Sequence, residues 1–171
     1  EALRPHLYPP QDDAAAGLGP WAAAQRRGEA VVWITLDGFF WFPRTLLGIE
    51  RHLYAFYDQP ELLHRINQDL AAWQVGVLRL LGKVCRPTFM TFAEDMSYNH
   101  GPMLSRALFD EFLAPYYRQV IPVVEEMGCY RINGNTLRTT DGALLVQAEL
   151  AESTGLDCTV PAPGLKALLK D

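Results

Sequence analysis

Short apolar segments alternate along this chain with longer segments whose apolar residues recur every three or four positions. Near-continuous apolar runs over Ala30–Leu36 and Thr88–Ala93 predict strands that are buried on both faces, as in a parallel sheet. Between them, the apolar residues of Leu63–Leu80 fall on one face of a long helix that ends at Gly82. Because no hairpin signal separates the strands, this order predicts an α/β fold with a parallel sheet.

The same order continues in the second half of the chain. Ser105 is predicted to cap a helix that Pro115 kinks and Gly128 ends. A third strand is expected directly afterwards, over Cys129–Ile132. The pattern therefore repeats its strand–helix unit past the middle of the chain.

A further unit and a lead-in segment complete the predicted organisation. A helix near Gly142–Ser153 is expected to lead to a fourth strand, Asp157–Val160, and a short final helix. Residues 1–29 are rich in Pro, Ala and Gly, and they are expected to form a surface lead-in with a short helix near Trp21–Arg27. Residues 1–171 would then contain about four strand–helix units.

Each of the first three predicted strands turns abruptly polar at its end. Asp37 follows the first strand, Glu94 and Asp95 follow the second, and Asn133 follows the third. In parallel α/β folds, ligands bind at the carboxyl ends of the strands, so we predict that these side chains lie on one rim. An acidic pair is costly there unless it reaches solvent, a cation or hydrogen-bond donors. The alternative for Asp37 and Asn133 is that they simply form turns.

Two segments beside the strand ends supply the other candidate binding residues. Gly38–Arg44 is read as an aromatic loop in which Phe39 lines a ligand pocket and Arg44 pairs with a ligand carboxylate. The alternative is that these aromatic side chains belong to the core. The loop after the acidic pair offers hydroxyl, amide and imidazole groups, unless it only caps the next helix. The candidates from this loop and from the third strand end are Tyr98, Asn99, His100, Asn133 and Asn135.

Charge and composition exclude several classes of partner. A net charge of −5 at pH 7 and a pI of about 5.3 disfavour nucleic acid and anionic membrane surfaces. No apolar run approaches the roughly 20 residues of a transmembrane helix. The three cysteines are far apart, so they are expected to be reduced thiols of a cytoplasmic protein, without the spacing of metal ligands. A small-molecule substrate is the expected partner.

One long segment carries a pattern of known type. Glu94–Tyr117 contains an acidic pair after a strand, a Gly-Pro step, a serine cap, two phenylalanines three residues apart and a Pro-Tyr pair. This pattern resembles that of uroporphyrinogen-decarboxylase-like proteins, and Gly38–Gly48 with Tyr54–His64 is similar to that family's loop and helix. The resemblance covers most of residues 20–128. It implies a (β/α)8 barrel of the TIM-barrel type.

The resemblance also implies a chemistry. A decarboxylase-type lyase of this kind uses no cofactor: it protonates an electron-rich ring of a carboxylated substrate, such as a tetrapyrrole, and then releases CO2. That reaction needs a positioned acid, for which Glu94 and Asp95 are the catalytic candidates, and a cationic anchor such as Arg44. The porphyrinogen enzymes have Glu-Ser where this chain has the acidic pair. The resemblance therefore implies a decarboxylase-like member of unassigned chemistry.

A second reading is a methyltransferase relative linked to cobamide or coenzyme M, with a corrinoid protein as its partner. Such enzymes resemble this chain but bind zinc through a His-x-Cys-Gly motif after the third strand. Here Arg131 and Asn133 stand in place of the His and the Cys. Neither is a good zinc ligand, so no metal site is predicted.

The length of the chain favours a third reading, a truncated and non-catalytic fragment. A full barrel needs about 250 residues, so four strand–helix units make an internal half barrel. Its unpaired strand edges would favour association into a homo-oligomer. Trp33 and Phe92 are expected to face the barrel interior, where they would lack an opposite wall.

Overall fold

The structure is a computed structural model. It describes residues 3–11, 15, 17–129, 134–138 and 144–148, the last two ranges as backbone strands. The chain divides into two compact units, Glu1–Arg131 and Ile132–Asp171, and each is described by itself.

The described residues form helices and strands in the first unit and a pair of strands in the second. The helices of the first unit are α1 (Arg4–Leu7), α2 (Leu18–Arg26), α3 (Trp41–Leu47), α4 (Ile49–Asp58), α5 (Pro60–Leu81), α6 (Arg106–Phe112) and α7 (Ala114–Glu126). Its strands are β1 (Trp33–Asp37), β2 (Phe89–Ala93), β3 (Ser97–Tyr98) and β4 (Gly101–Pro102). The strands of the second unit are β5 (Gly134–Arg138) and β6 (Leu144–Ala148).

The two strands predicted first, β1 and β2, pair in parallel. Their register runs from Trp33 opposite Phe89 to Asp37 opposite Ala93. The prediction of a parallel α/β arrangement is thus confirmed for this pair, although β1 begins three residues later than the sequence suggested. The long helix between the strands, α5, also ends where expected, at Gly82.

The two faces of this sheet differ in burial. Leu36 is buried, and Met90 and Phe92 pack against the same core. On the other face, Trp33 is 59% exposed and stacks on Phe89 at 5.9 Å between ring centroids. The expectation that β1 is buried on both faces is therefore wrong within this unit, because none of its described elements covers the second face.

Side-chain alternation also corrects the expectation for the barrel interior. Successive residues of a strand point to opposite faces. Trp33 is in register with Phe89, whereas Phe92 is in register with Leu36 on the buried face. Trp33 and Phe92 therefore cannot both face the interior of one barrel.

The helices form one layer over the buried face of the sheet. The most extensive contacts between helices are those of α5 with α7, followed by those of α3 with α4, α6 with α7 and α4 with α5. The fully buried apolar residues in and beside this layer include Phe39, Phe40, Leu63, Leu78, Phe112, Leu113 and Val120. The aromatic segment Gly38–Arg44, predicted as a loop, is helical from Trp41 onward.

The helix predicted after Ser105 is present but divided. The Ser105 hydroxyl caps α6 by accepting a hydrogen bond from the Leu108 N–H at 3.2 Å, as predicted. Pro115 does not kink one continuous helix. Instead α6 ends at Phe112, and Pro115 lies in the first turn of α7, where its missing N–H removes no helical hydrogen bond.

The lead-in segment is fastened to α5 by its side chains. Arg4 pairs with Asp69 through two N–O contacts of 2.7 Å. The Tyr8 hydroxyl donates to the Ile66 carbonyl oxygen at 3.1 Å, and the Trp73 indole N–H donates to the Pro9 carbonyl oxygen at 2.9 Å. We call residues Arg4–Gln11 the strap. The predicted short helix of the lead-in is confirmed as α2.

The second unit corrects the prediction of four strand–helix units. β5 and β6 pair antiparallel, from Gly134 opposite Ala148 to Arg138 opposite Leu144. β6 lies inside the segment that was predicted to be a helix. An Asp141-Gly142 pair, a strong hairpin signal, separates the two strands in the sequence. The strands predicted at Cys129–Ile132 and Asp157–Val160 lie almost entirely outside the described residues.

The described residues thus form a mixed α/β structure. None of the helices in that part of the chain is long and apolar enough to cross a bilayer.

Candidate functional site

The carboxyl ends of β1 and β2 meet at one edge of the sheet. Asp37 lies opposite Ala93, and the Gly38 N–H donates to the Ala93 carbonyl oxygen at 2.9 Å. Glu94 and Asp95 follow directly, so three of the four predicted rim residues lie at the same edge, as predicted. The fourth, Asn133, lies outside the described residues.

Glu94 points to the helical side of this edge and is surrounded by donors. Its carboxylate accepts hydrogen bonds from the main-chain N–H groups of Phe40, at 3.1 Å, and Trp41, at 2.9 Å. The hydroxyl of Tyr117 on α7 donates to the same carboxylate. Glu94 therefore ties the start of α3 to α7, and we call Glu94, Tyr117 and these two N–H groups the inner clamp.

Gly38 makes room for the inner clamp. A Cβ atom at this position would overlap the Glu94 side chain. Gly38 is itself buried. The glycine was read from sequence as a turn residue, whereas here it permits the close approach of a carboxylate to the main chain.

Burial and hydrogen bonding act in opposite directions on Glu94. Burial raises the pKa of its carboxyl group, while the Tyr117 hydroxyl and the main-chain N–H groups lower it, and the net shift is upward. Burial, followed by the negative charge of Glu94, raises the pKa of the Tyr117 phenol. The phenol therefore stays protonated and remains a donor to the carboxylate.

Asp95 points the other way and pairs with a cation. Arg44 Nη1 contacts the Asp95 carboxylate and also donates to the Asp95 carbonyl oxygen at 3.1 Å. The Arg44 side chain is 23% exposed and that of Asp95 is 48% exposed. The Arg44 guanidinium also lies over the Trp41 ring, 5.3 Å from its centroid. We call Arg44 and Asp95 the outer pair, and the Trp41 indole lies beside it.

Arg44 has hydrogen-bonding capacity to spare. Nη1 makes its contacts with Asp95, and the Nε and Nη2 groups have no partner among the described residues. A guanidinium with a free N–H edge matches the two oxygens of a carboxylate. The site can therefore bind a carboxylate ligand beside the indole of Trp41.

Asp37 lies on the exposed face of the sheet. Its main-chain oxygen accepts a hydrogen bond of 2.7 Å from the buried Gln74 on α5, which fixes the end of β1. The Asp37 carboxylate itself is exposed, and no described residue bonds to it. It is available to a ligand, a second chain or solvent.

The other candidates from sequence fall in different places. Phe39 is fully buried and packs edge-on against Tyr117 at 4.8 Å, so it belongs to the core beneath the edge. Tyr98, Asn99 and His100 are exposed in the small β3–β4 hairpin, where the rings of Tyr98 and His100 lie 5.8 Å apart. Asn135 lies in β5 of the second unit, and its side chain is outside the described residues.

A buried histidine lies beneath the outer pair. His52 on α4 is fully buried between Phe40 and Phe56, and both of its ring nitrogens lack hydrogen-bond partners within the described part of the chain. Burial, assisted by the positive charge of Arg44, lowers the pKa of His52 to about 4. His52 is therefore neutral at pH 7 and is not a proton donor there.

Two further observations concern metal ligands and cavities among the described residues. Among the described residues, no group of three or more His, Cys, Asp or Glu side chains is arranged to hold a metal ion. A cavity of about 360 Å³ lies elsewhere, between α1 and α5, and is lined by Arg4, Pro5, Tyr8, Asp69, Ala72 and Trp73.

No family model, no curated protein and no solved structure matches the chain.

Sequence reasoning missed Tyr117 as part of the site, and it included Trp41 only as a member of the aromatic loop Gly38–Arg44. Tyr117 lies on α7, at the end of the segment Glu94–Tyr117, and was not named as a candidate. The available signal was chemical: a carboxylate that follows a buried strand needs donors, and a phenol on the facing helix is one.

Proposed function

We propose that this chain forms part of the active-site rim of a (β/α)8 barrel enzyme of the uroporphyrinogen-decarboxylase-like class. The enzyme acts on a small carboxylated substrate, such as a tetrapyrrole, and needs no cofactor. The observation that carries the proposal is the outer pair, in which a cation with free donors lies beside a solvent-accessible carboxylate at the carboxyl end of a parallel strand pair.

In this proposal Arg44 binds a substrate carboxylate. Its free N–H groups and its position over Trp41 suit a carboxylate carried on a planar or unsaturated ring. A carboxylate that binds Arg44 competes with Asp95 for the same guanidinium. Asp95 is then released from its cation and can face the substrate.

Asp95 is therefore our candidate for the proton donor. The substrate ring carbon accepts a proton, and the bond between carbon and the departing carboxylate breaks. Its electron pair passes to the ring and CO2 leaves. The net change replaces a carboxylate by hydrogen, so the step needs no oxidant or reductant. Glu94 is a weaker candidate, since three donors already occupy its carboxylate.

The open face of the sheet supports the barrel part of the proposal. Trp33, Thr35 and Asp37 share this face with Phe89 and Thr91. In a barrel this face would line the interior, and further strands would cover Trp33. The helices on the opposite face would then form part of the outer ring.

Binding of a polycarboxylate tests the proposal directly. Uroporphyrin, which carries eight carboxylates, is titrated against the chain while tryptophan fluorescence is recorded, with its octamethyl ester as the uncharged control. We expect quenching with the acid and none with the ester. Arg44→Gln should weaken binding about tenfold or more, and Arg44→Lys should restore part of it.

A matched control uses another paired arginine. Arg106 forms an ion pair with Asp110 on the exposed surface of α6, so Arg106→Gln changes the net charge by the same amount away from the edge. Equal weakening by Arg44→Gln and Arg106→Gln would reduce the binding to nonspecific charge attraction. Release of CO2 from the reduced porphyrinogen then tests the decarboxylase chemistry itself.

A further inference from the structure

Tyr117 is a partly buried tyrosine whose only described hydrogen-bond acceptor is a carboxylate. Its ring is held edge-on by Phe39, at 4.8 Å, and by Phe92, at 5.0 Å between centroids. Its hydroxyl donates to Glu94 Oε1. The phenol therefore has a fixed direction, set by aromatic rings from the β1–α3 connection and from β2.

Glu94 links this phenol to both members of the outer pair. Through the N–H groups of Phe40 and Trp41, the carboxylate fixes the start of α3, and Arg44 lies on the next turn of that helix. Through the main chain, Glu94 is joined directly to Asp95. The inner clamp thus holds the guanidinium and its carboxylate partner from two sides.

We propose that Tyr117 is a positioning residue, which acts through Glu94 to place Arg44 against Asp95 and Trp41 for carboxylate binding. The part of this inference that concerns binding rests on the proposed function above. Without the hydroxyl, the Glu94 carboxylate loses a donor in a buried position and turns towards other donors or solvent. The start of α3 then loses a fixed acceptor, and Arg44 moves relative to Trp41.

The ligand-free test follows the environment of Trp41. The chain is labelled with 5-fluorotryptophan, and the Trp41 signal is assigned among the four tryptophans by Trp41→Phe. Arg44→Gln defines the shift of that signal when the guanidinium is absent. We expect Tyr117→Phe to move the Trp41 signal in the same direction, while circular dichroism shows a cooperative thermal transition.

The matched control is the neighbouring tyrosine. Tyr116 is buried on α7, but its hydroxyl contacts His64 on α5 at 2.8 Å and makes no hydrogen bond to Glu94. Tyr116→Phe should leave the Trp41 signal in place. An unmoved signal in Tyr117→Phe, or an equal movement in Tyr116→Phe, would overturn the positioning role.

A second variant keeps the test decisive if Tyr117→Phe does not fold. Glu94→Gln preserves the shape of the side chain but replaces one acceptor oxygen by an amide donor, which must break one hydrogen bond to the start of α3. It should therefore move the Trp41 signal as well. A folded Glu94→Gln variant with an unmoved signal contradicts the proposal.

Binding of uroporphyrin separates the two levels of the inference. If the proposed function holds, Tyr117→Phe weakens uroporphyrin binding by a factor close to that of Arg44→Gln, and Tyr116→Phe leaves it within about twofold. If wild-type chain does not bind uroporphyrin while Tyr117→Phe moves the Trp41 signal, the proposed ligand is wrong and the positioning role stands. Binding lost in Arg44→Gln but kept in Tyr117→Phe refutes the positioning role.

Discussion

Glu94 and Asp95 are neighbours in the sequence and identical in charge, but they lie in opposite environments. Glu94 faces the helices, where three donors surround its carboxylate in a buried position. Asp95 faces outward, where its carboxylate pairs with Arg44 and stays partly exposed to solvent. The two residues follow β2, and the contacts they make there divide the acidic pair into one residue that holds the structure and one that can meet a ligand.

The largest expected effect comes from filling the space beside Glu94. Gly38→Ala adds a Cβ that overlaps the Glu94 side chain, so the inner clamp must open or the strand end must shift. We expect the free energy of unfolding to fall by about 3 kcal/mol, measured by urea denaturation. Gly19→Ala on α2, where a Cβ would meet nothing, should change it by no more than about 1 kcal/mol. Equal effects at both positions would refute the close approach.

Removing the hydroxyl of Tyr117 should lower the free energy of unfolding by a smaller amount, and this amount should depend on pH. Because the folded pKa of Glu94 is raised, this group favours the folded state at pH values below its unfolded pKa, and that contribution is lost as pH rises through the folded pKa. Tyr117→Phe removes a donor to the ionised form, so the folded pKa of Glu94 rises further. The variant should lose about 2 kcal/mol at pH 7 and distinctly less at pH 4.

Urea denaturation of both proteins between pH 4 and pH 7 checks this dependence. Tyr116→Phe removes a hydroxyl that contacts His64 and no carboxylate, so its effect should not follow the titration of a carboxyl group. A Tyr117→Phe effect that is constant with pH would mean that the hydroxyl does not act on the Glu94 charge.

The outer pair should contribute much less to stability than the inner clamp. A double-mutant cycle with Arg44→Gln and Asp95→Asn is expected to give a coupling of about 0.5 kcal/mol, which decreases when salt is added. The exposed Arg106–Asp110 pair on α6 provides the reference cycle, with an expected coupling of about 0.3 kcal/mol. A coupling of the outer pair as large as the Tyr117→Phe effect would erase the distinction between the two carboxylates.

The smallest effect on stability is expected on the outward face of the sheet. Trp33→Thr should change the free energy of unfolding by about 0.5 kcal/mol or less, because Trp33 is 59% exposed and threonine suits a strand. The same change should reduce association of the chain, measured by light scattering across a concentration series, since it removes an apolar group beside open strand edges. Trp21→Gln on α2, where the indole is 61% exposed, is the control.

The parts of the fold that the sequence predicted are those with local causes. Apolar periodicity and the terminal glycine were sufficient for α5, the Ser105 cap for α6, and two apolar runs for the parallel pair β1–β2. The segment Gly38–Asp58 was not recognised as two helices, because the aromatic run at its start hides the helical period. β6 was predicted as a helix because its apolar residues suit either structure, and an antiparallel partner decided between them.

The sequence predicted the positions of those site residues that lie at the ends of strands. Asp37, Glu94 and Asp95 end parallel strands, and that alone brings them to one edge. Glu94 and Asp95 have different environments because their partners differ. Glu94 contacts Tyr117, which is 23 positions away in the sequence, and Asp95 contacts Arg44, which is 51 positions away. Such pairings follow from the packing of α3 and α7 on the sheet, which composition and spacing do not encode.

The strap has a consequence for the order of folding. Its anchoring residues on α5 lie between 58 and 65 positions further along the chain. Closing a loop of this length costs conformational entropy before the long-range contacts can form. Such contacts therefore form slowly during folding. During synthesis at about 5–20 residues per second, the strap would wait roughly 3 to 13 seconds before its last partner on α5 exists. The segment translated first among these elements is therefore among the last to find its place.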